Sequence, residues 1–248
     1  MGVLTAIAVA GLPEVHEGDD LALLMLEAGA HFGDGDVVVV AHKVISKAEG
    51  RTRALHSIEP GPQALELAEQ TGKDARQVQA VLDETAVLVR AERGVLICRT
   101  RQGYVCANAG VDASNAPPDT LVLLPSDPDD SARRLRARLR ELTGAAPAVL
   151  VTDSFGRAWR HGQQETALGC AGLAPLEDWR GRPDGGGRTL SATWIALADQ
   201  VASAADLVRA KDSREPIVIV GGLARHITAE DGPGAAELIR PPSEDLFL

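Results

Sequence analysis

Short apolar runs recur along the chain at Leu4–Ala10, Asp36–Ala41, Val95–Cys98, Tyr104–Ala107, Thr120–Leu124, Ala148–Val151 and Ile217–Val220. Several are unbroken Val/Ile/Leu stretches, the pattern expected of strands covered on both faces. Helical patterns lie between them. Asp19–Ala30 starts at an acidic cap and continues through LALLMLEA, while Gln63–Gln70 and Ala75–Arg90 flank the turn signal TGKD. Ser126–Thr143 has acids in its first turn, arginines toward its end and Gly144 as a stop, all of which complement the helix dipole. Its arginines read most simply as a solvated helix face. An alanine-rich helix is expected over Ser191–Ala210. The alternation predicts an α/β fold. The glycine-rich stretch Arg180–Arg188 reads as a loop or a domain junction, and the tail from Pro241 as irregular chain that docks through Leu246 and Phe247.

Composition narrows the class. A chain of 248 residues suffices for one large α/β domain or two small ones. Aromatics make up only 3%, so the core rests on Ala, Val, Leu and Ile. The formal net charge of −10 argues against general nucleic-acid binding, which needs a basic surface, but leaves room for a local basic pocket. Cys98, Cys106 and Cys170 are odd in number and form no CxxC pair, which fits reduced thiols in a cytoplasmic protein. The apolar N-terminus has no basic flank and is too short to span a membrane.

Three polar clusters follow apolar runs. In AVLVTDSFGRAWRHGQQ (148–164), the run stops at Thr152-Asp153-Ser154, with Arg157, Arg160 and His161 close behind. A carboxylate and hydroxyl at a strand's C-terminal edge lie where open α/β sheets place ligands. Arginines there suit phosphate or carboxylate through paired hydrogen bonds. Taken alone, Asp153 reads more readily as a strand-end cap and the arginines as a solvated turn. In DVVVVAHKVISKAEGR (36–51), Lys43 and Lys47 share a face if the chain turns helical, as phosphate-binding cations or as an exposed basic turn. In YVCANAGVDASNAPP (104–118), Asn108, Asp112, Ser114 and Asn115 are ordinary turn residues or hard oxygen ligands for Mg²⁺ or Mn²⁺. Asp112 and Asp153 together suit one or two metals across a phosphate. No GxxxxGK[ST], no GxGxxG after a strand, no HExxH and no GxSxG occurs, which removes the P-loop, dinucleotide, zincin and serine-hydrolase readings.

These clusters, with GLPEV (Gly11–Val15), GDDL (Gly18–Leu21), LLPSDPDDSA (Leu123–Ala132) and the tail LIRPPSEDLFL, resemble the coenzyme F420 gamma-glutamyl ligase family. The match runs from near residue 7 to about 220 and is similar to the ligase domain of the actinobacterial two-domain form. The resemblance implies a mixed α/β (α+β) fold with mixed sheets and flanking helices, and an intertwined homodimer. It implies one ligase domain over 1–248, divisible into two sub-domains, with no nitroreductase-like domain following. The family joins L-glutamate by γ-linkages to the deazaflavin coenzyme F420-0, using GTP, two divalent ions (Mg²⁺ or Mn²⁺) and K⁺ as a further cation.

Carried over by motif, Leu12, Pro13, Glu14, Val15, His42, Lys47 and Asn115 are expected at the nucleotide, with Lys47 on its phosphates. Asp112 and Asp153 are expected to ligate metal, with Ser154 helping at a second ion. His42 stands where relatives often carry a smaller polar residue, Ser154 replaces the commoner Thr, and Asp199-Gln200 occupies a frequent Asp-Glu pair. Arg157 and Arg160 are expected to bind the acidic substrates, with a structural role at the strand edge as the alternative. The expected partners are small molecules, not nucleic acid or membrane. Two other readings stand beside the ligase: another metal- and nucleotide-dependent amide-forming or phosphoryl-transfer enzyme, and a nucleotide-binding module without catalysis.

Overall fold

A computed structural model describes residues 2–245; the expected docking of Leu246 and Phe247 lies outside the described residues. Its centre is a five-stranded mixed sheet in the order β1-β12-β2-β8-β9. The strands are β1 (Thr5–Ala8), β2 (Val37–Ala41), β8 (Ala148–Arg157), β9 (Arg160–Ala171) and β12 (Ile217–Gly221). Only β2 and β8 run parallel, with Val37 opposite Ala148 and Ala41 opposite Thr152. The remaining pairings in this sheet are antiparallel. This is the mixed α/β class expected.

The continuous valines of β2 are explained by cover on both faces. Val38 and Val40, with Val149, Val151, Ile217 and Ile219, pack against α1 (Leu21–Glu27), α2 (His42–Ala48) and α5 (Pro128–Thr143). Val37 and Val39, with Leu150, Val218 and Val220, pack against α6 (Leu197–Asp206). Period-two alternation within one apolar run thus feeds two cores. α5 obeys its sequence signals: Asp127 caps the Asp130 N–H at 2.9 Å, and Gly144 ends the helix at φ 79°. It sits tightly on the sheet, because a Cβ on Gly169 of β9 would lie 2.0 Å from the Pro128 carbonyl oxygen.

A further apolar core joins α3 (Pro62–Thr71) and α4 (Ala75–Glu84) to the three-stranded sheet of β4 (Thr85–Glu92), β5 (Val95–Thr100) and β6 (Val105–Ala107). A ribbon of β3 (Thr52–Ala54) and β7 (Thr120–Val122) ties this part to the end of α2.

Three expectations need correction. The helix over Ala75–Arg90 ends at Glu84 and gives way to β4, because Thr85, Val87 and Val89 favour a pleated strand. Arg93 and Gly94, at φ 52° and 75°, then make the two-residue turn into β5 that this hairpin needs. The helix expected from Ser191 begins only at Leu197, since Trp194–Ala196 forms β11 and pairs with β10 (Leu176–Asp178). Finally, β8 does not stop at Val151. It runs on to Arg157 and returns as β9, with Trp159 at φ 65° in the turn. The outer half of that hairpin is polar because Gly156–Gln163 are exposed, and this hid its strand character.

Candidate active site

The parallel pair β2/β8 sets the site. Both strands deliver their C-terminal continuations to the same edge, the position at which open sheets gather ligands. From β2 the chain turns directly into α2, so Lys43 and Lys47 lie on one face of a helix beginning at that edge. From β8 the same edge receives Thr152, Asp153 and Ser154. The loop after β6 adds Asp112, held in register by a bridge to Val122 of β7.

Lys43 is the hub of the first group. Its Nζ donates to Asp112 Oδ2 at 2.5 Å and to Ser114 Oγ at 2.6 Å. The Ser114 backbone N–H donates to Asp112 Oδ1 at 2.8 Å, which fixes the carboxylate. Burial pushes the Asp112 carboxyl up, but hydrogen bonds from Lys43 and Ser114 outweigh it and hold it below its usual value. Asp153 lies close enough for Lys43 and Asp112 to act on it electrostatically. Burial raises its carboxyl to about 6; the Ser154 N–H and Lys43 oppose that rise, whereas Asp112 adds to it.

His42 is buried beside Asp153, with Nε2 3.6 Å from Asp153 Oδ1 and Nδ1 3.3 Å from Ser46 Oγ. Burial, reinforced by Lys43, lowers its pKa to about 3, so it meets Asp153 as a neutral imidazole. Its Nε2 is a buried polar atom with no hydrogen-bond partner among the described residues.

Strand alternation sends Ser154 to the opposite face from Asp153, into a group that sequence reasoning missed. Glu165 of β9 stands opposite Ser154 in the register and is buried. Its carboxylate accepts from Thr152 Oγ1 and Ser154 Oγ, each at 2.7 Å, and from the Arg209 guanidinium. Lys211 Nζ donates to Ser154 Oγ at 2.5 Å. The available signals were the alternation of QQETALG after the hairpin and the RAKDS charges after the alanine-rich helix.

The other expected residues are spread more widely. Lys47 is buried and its Nζ pairs with Glu14 Oε1 at 2.5 Å, which joins the 12–15 loop to α2. In that loop Val15 is buried, Leu12 partly buried, and Pro13 and Glu14 exposed. Asn115 is exposed at φ 54°, three residues from Asp112. Arg157 and Arg160 pair across the hairpin tip and are exposed, and Arg157 Nη2 donates to the His161 carbonyl at 2.6 Å. Arg157 lies four residue steps beyond Asp153, about 13 Å of extended chain. The structure therefore brings Lys43, Asp112, His42 and Asp153 together, and does not bring the arginines to them.

Among the described residues, no group of three or more His, Cys, Asp or Glu gathers as a metal centre. The donors on offer are instead oxygens: two carboxylates and neighbouring hydroxyls, the set that hard divalent ions take alongside water and phosphate oxygens. Asp112 already holds one positive group, the Lys43 ammonium, and the half-buried Asp153 carboxyl is raised by desolvation that its neighbours only partly offset. The residues fit Mg²⁺ or Mn²⁺.

Comparison with known proteins identifies the family. The F420-0:gamma-glutamyl ligase family profile matches residues 11–222. The coenzyme F420:L-glutamate ligase of Methanopyrus kandleri is 47% identical over 252 aligned positions, covering 100% of both chains. That of Methanothermobacter thermautotrophicus is 42% identical, covering 100% of this chain and 99% of its own. The Archaeoglobus fulgidus protein of the same name is 42% identical over 96% of this chain and 94% of its own. With the match spanning nearly the whole length, the chain belongs to the F420-0:gamma-glutamyl ligase family.

Proposed function

We propose that this protein joins L-glutamate to coenzyme F420-0 in a ligation driven by GTP, giving GDP and phosphate, and adds any further glutamates through γ-linkages. The observation that carries the reading is the convergence of Lys43, Asp112 and Asp153 at the C-terminal edge of β2 and β8, beside a buried Lys47. A carboxylate does not react with an amine in neutral water, because its oxygen is a poor leaving group. In the proposed sequence the GTP γ-phosphoryl passes to an acceptor carboxylate oxygen, and GDP leaves. The glutamate amine then attacks the acyl carbon, phosphate departs, and the amine gives up a proton.

Phosphoryl transfer of this kind depends on positioning and charge neutralisation rather than on covalent help from the protein. Lys47 and Lys211 supply fixed or reachable cations for phosphate oxygens; Lys211 is largely exposed and tethered only at its tip region. Asp112 and Asp153 would hold Mg²⁺ or Mn²⁺, which neutralises phosphate charge when bound, and the Ser154 hydroxyl, on the other face of β8, would serve only a separate second ion. Neutral, buried His42 lies beside Asp153 without adding a charge. K⁺ as a further cation and an intertwined homodimer belong to the same reading; sedimentation of the purified protein decides the second.

The test is mass spectrometry of the deazaflavin product after incubation with GTP, glutamate and Mg²⁺ or Mn²⁺. A mass gain of one or more glutamyl residues, dependent on GTP, is expected. Asp112→Asn and Asp153→Asn should each abolish product while leaving the circular dichroism spectrum unchanged. Full activity in either variant refutes the assignment of that carboxylate.

A further inference from the structure

Phe155 follows Asp153 by two residues on β8, so the two side chains leave the same face of the strand about 7 Å apart. Thr166 of β9 stands directly opposite Asp153 on that face. Phe155 and Thr166 form one wall of a cleft of about 310 Å³ that also takes in Tyr104, Arg99, Asp199 and Arg240. That volume is at the lower end for small-molecule sites, enough for part of a larger ligand.

The walls of the cleft are set before any ligand arrives. Tyr104 is buried, its hydroxyl donates to the Leu168 carbonyl, and its ring meets Phe155 edge-on at 6.4 Å. Such aromatics present a flat apolar surface with fixed orientation. At the rim, Arg240 is exposed and has no ion-pair partner among the described residues. Arg99 is mostly covered and pairs at 3.9 Å with Asp245, whose carboxylate also lines the cleft, so Arg240 is the more available of the two guanidinium groups. Asp199 accepts a backbone hydrogen bond from Ala167 at 2.9 Å, and burial holds its carboxyl above the ordinary value.

Across the strand, Ser154, Glu165, Arg209 and Lys211 occupy the opposite face.

We propose that this cleft binds the acceptor, an aromatic heterocycle carrying an anionic tail. Its ring lies against Tyr104 and Phe155, its phosphodiester charge faces Arg99 and Arg240, and its reacting carboxylate reaches along the Phe155 face to Asp153. The proposal rests on the ligase reading for the identity of the acceptor, and names the residues that select it.

Equilibrium dialysis of F420-0 against the full-length protein, without GTP, tests the cleft separately from turnover. Arg240→Ala and Arg99→Ala should each weaken binding about tenfold, the effect of losing one charge-assisted contact. Phe155→Leu should weaken it about threefold. In steady-state assays the KM for the acceptor should rise while those for GTP and glutamate stay within twofold. Arg240 is exposed, so its variant folds and remains informative if Arg99→Ala does not. Unchanged acceptor binding in both arginine variants overturns the proposal, as does an equal rise in the KM for GTP. Arginine-dependent binding without amide product supports the cleft and sinks the ligase reading. Amide product with arginine-independent binding does the reverse.

Discussion

Glu165→Ala should be among the most damaging single changes away from the apolar core. The Glu165 and Arg209 side chains are 3% and 8% exposed, so their ion pair is largely shielded from water. Removing one partner of a buried pair costs about 3–5 kcal/mol, because the other is left uncompensated. Here Arg209 keeps the Pro216 carbonyl at 3.3 Å and Asp206 at 3.4 Å, which moderates the loss. Thr152 and Ser154, however, each lose their acceptor. The lower half of the range follows, about 3–4 kcal/mol. This is a large share of the roughly 5–15 kcal/mol that holds a domain folded. Urea unfolding with linear extrapolation measures it. The companion variant Arg209→Met and the double variant close a thermodynamic cycle, and a coupling of about 2 kcal/mol is expected for groups in direct contact. A loss below about 1 kcal/mol, or strict additivity in the cycle, would refute the claim that this cluster is held by its charges.

Two further predictions concern packing and pH. Gly169→Ala should destabilise the fold by several kcal/mol on the order of a severe core overpacking, because its Cβ would meet the Pro128 carbonyl oxygen at 2.0 Å and backbone cannot step aside; a thermal melt within a few degrees of wild type would count against that reading. Asp199→Asn keeps the oxygen that accepts from Ala167 and removes a carboxyl that burial raises above its ordinary value of 3.8. A carboxyl raised in the fold favours folding while protonated and loses that contribution as pH rises through its folded value. The variant should therefore gain stability relative to wild type as pH climbs from below 3.8 towards neutrality, and show no gain in acid; a constant difference across that range contradicts it.

Much of the scaffold was legible because local rules and tertiary demands coincide. VVVV, AVLV and IVIV must be strands covered on both sides, and they form three adjacent strands of the central sheet. SDPDDSARRLRARLRELTG carries its own cap, its dipole charges and its stop, and the helix starts and ends where these signals stand. The breaks came where a local rule was outvoted. TAVLVRAE follows a helix without a glycine or proline, so nothing short-range marks the change of period at Thr85; pairing with β5 decides it. The β8–β9 hairpin is polar on both faces at its outer end, so its strands have no apolar stripe to betray them.

The same division runs through the candidate site. By itself the sequence determined which chemistry is on offer: lysines after one apolar run, aspartates after two others, and motifs specific enough to carry the family resemblance. Only the tertiary structure decided which of these groups meet. Lys43 and Asp112 are 69 positions apart, and Asp153 joins them because β8 lies parallel to β2 with Thr152 beside Ala41. Arg157 and Arg160, close to Asp153 in sequence, are carried away because an extended chain advances about 3.3 Å per residue. Glu165, Arg209 and Lys211 enter through a strand pairing and a helix end that no short pattern encodes. Residue type is a local property, whereas proximity is set by strand register and by which apolar faces pack together, and those are settled by the whole chain at once.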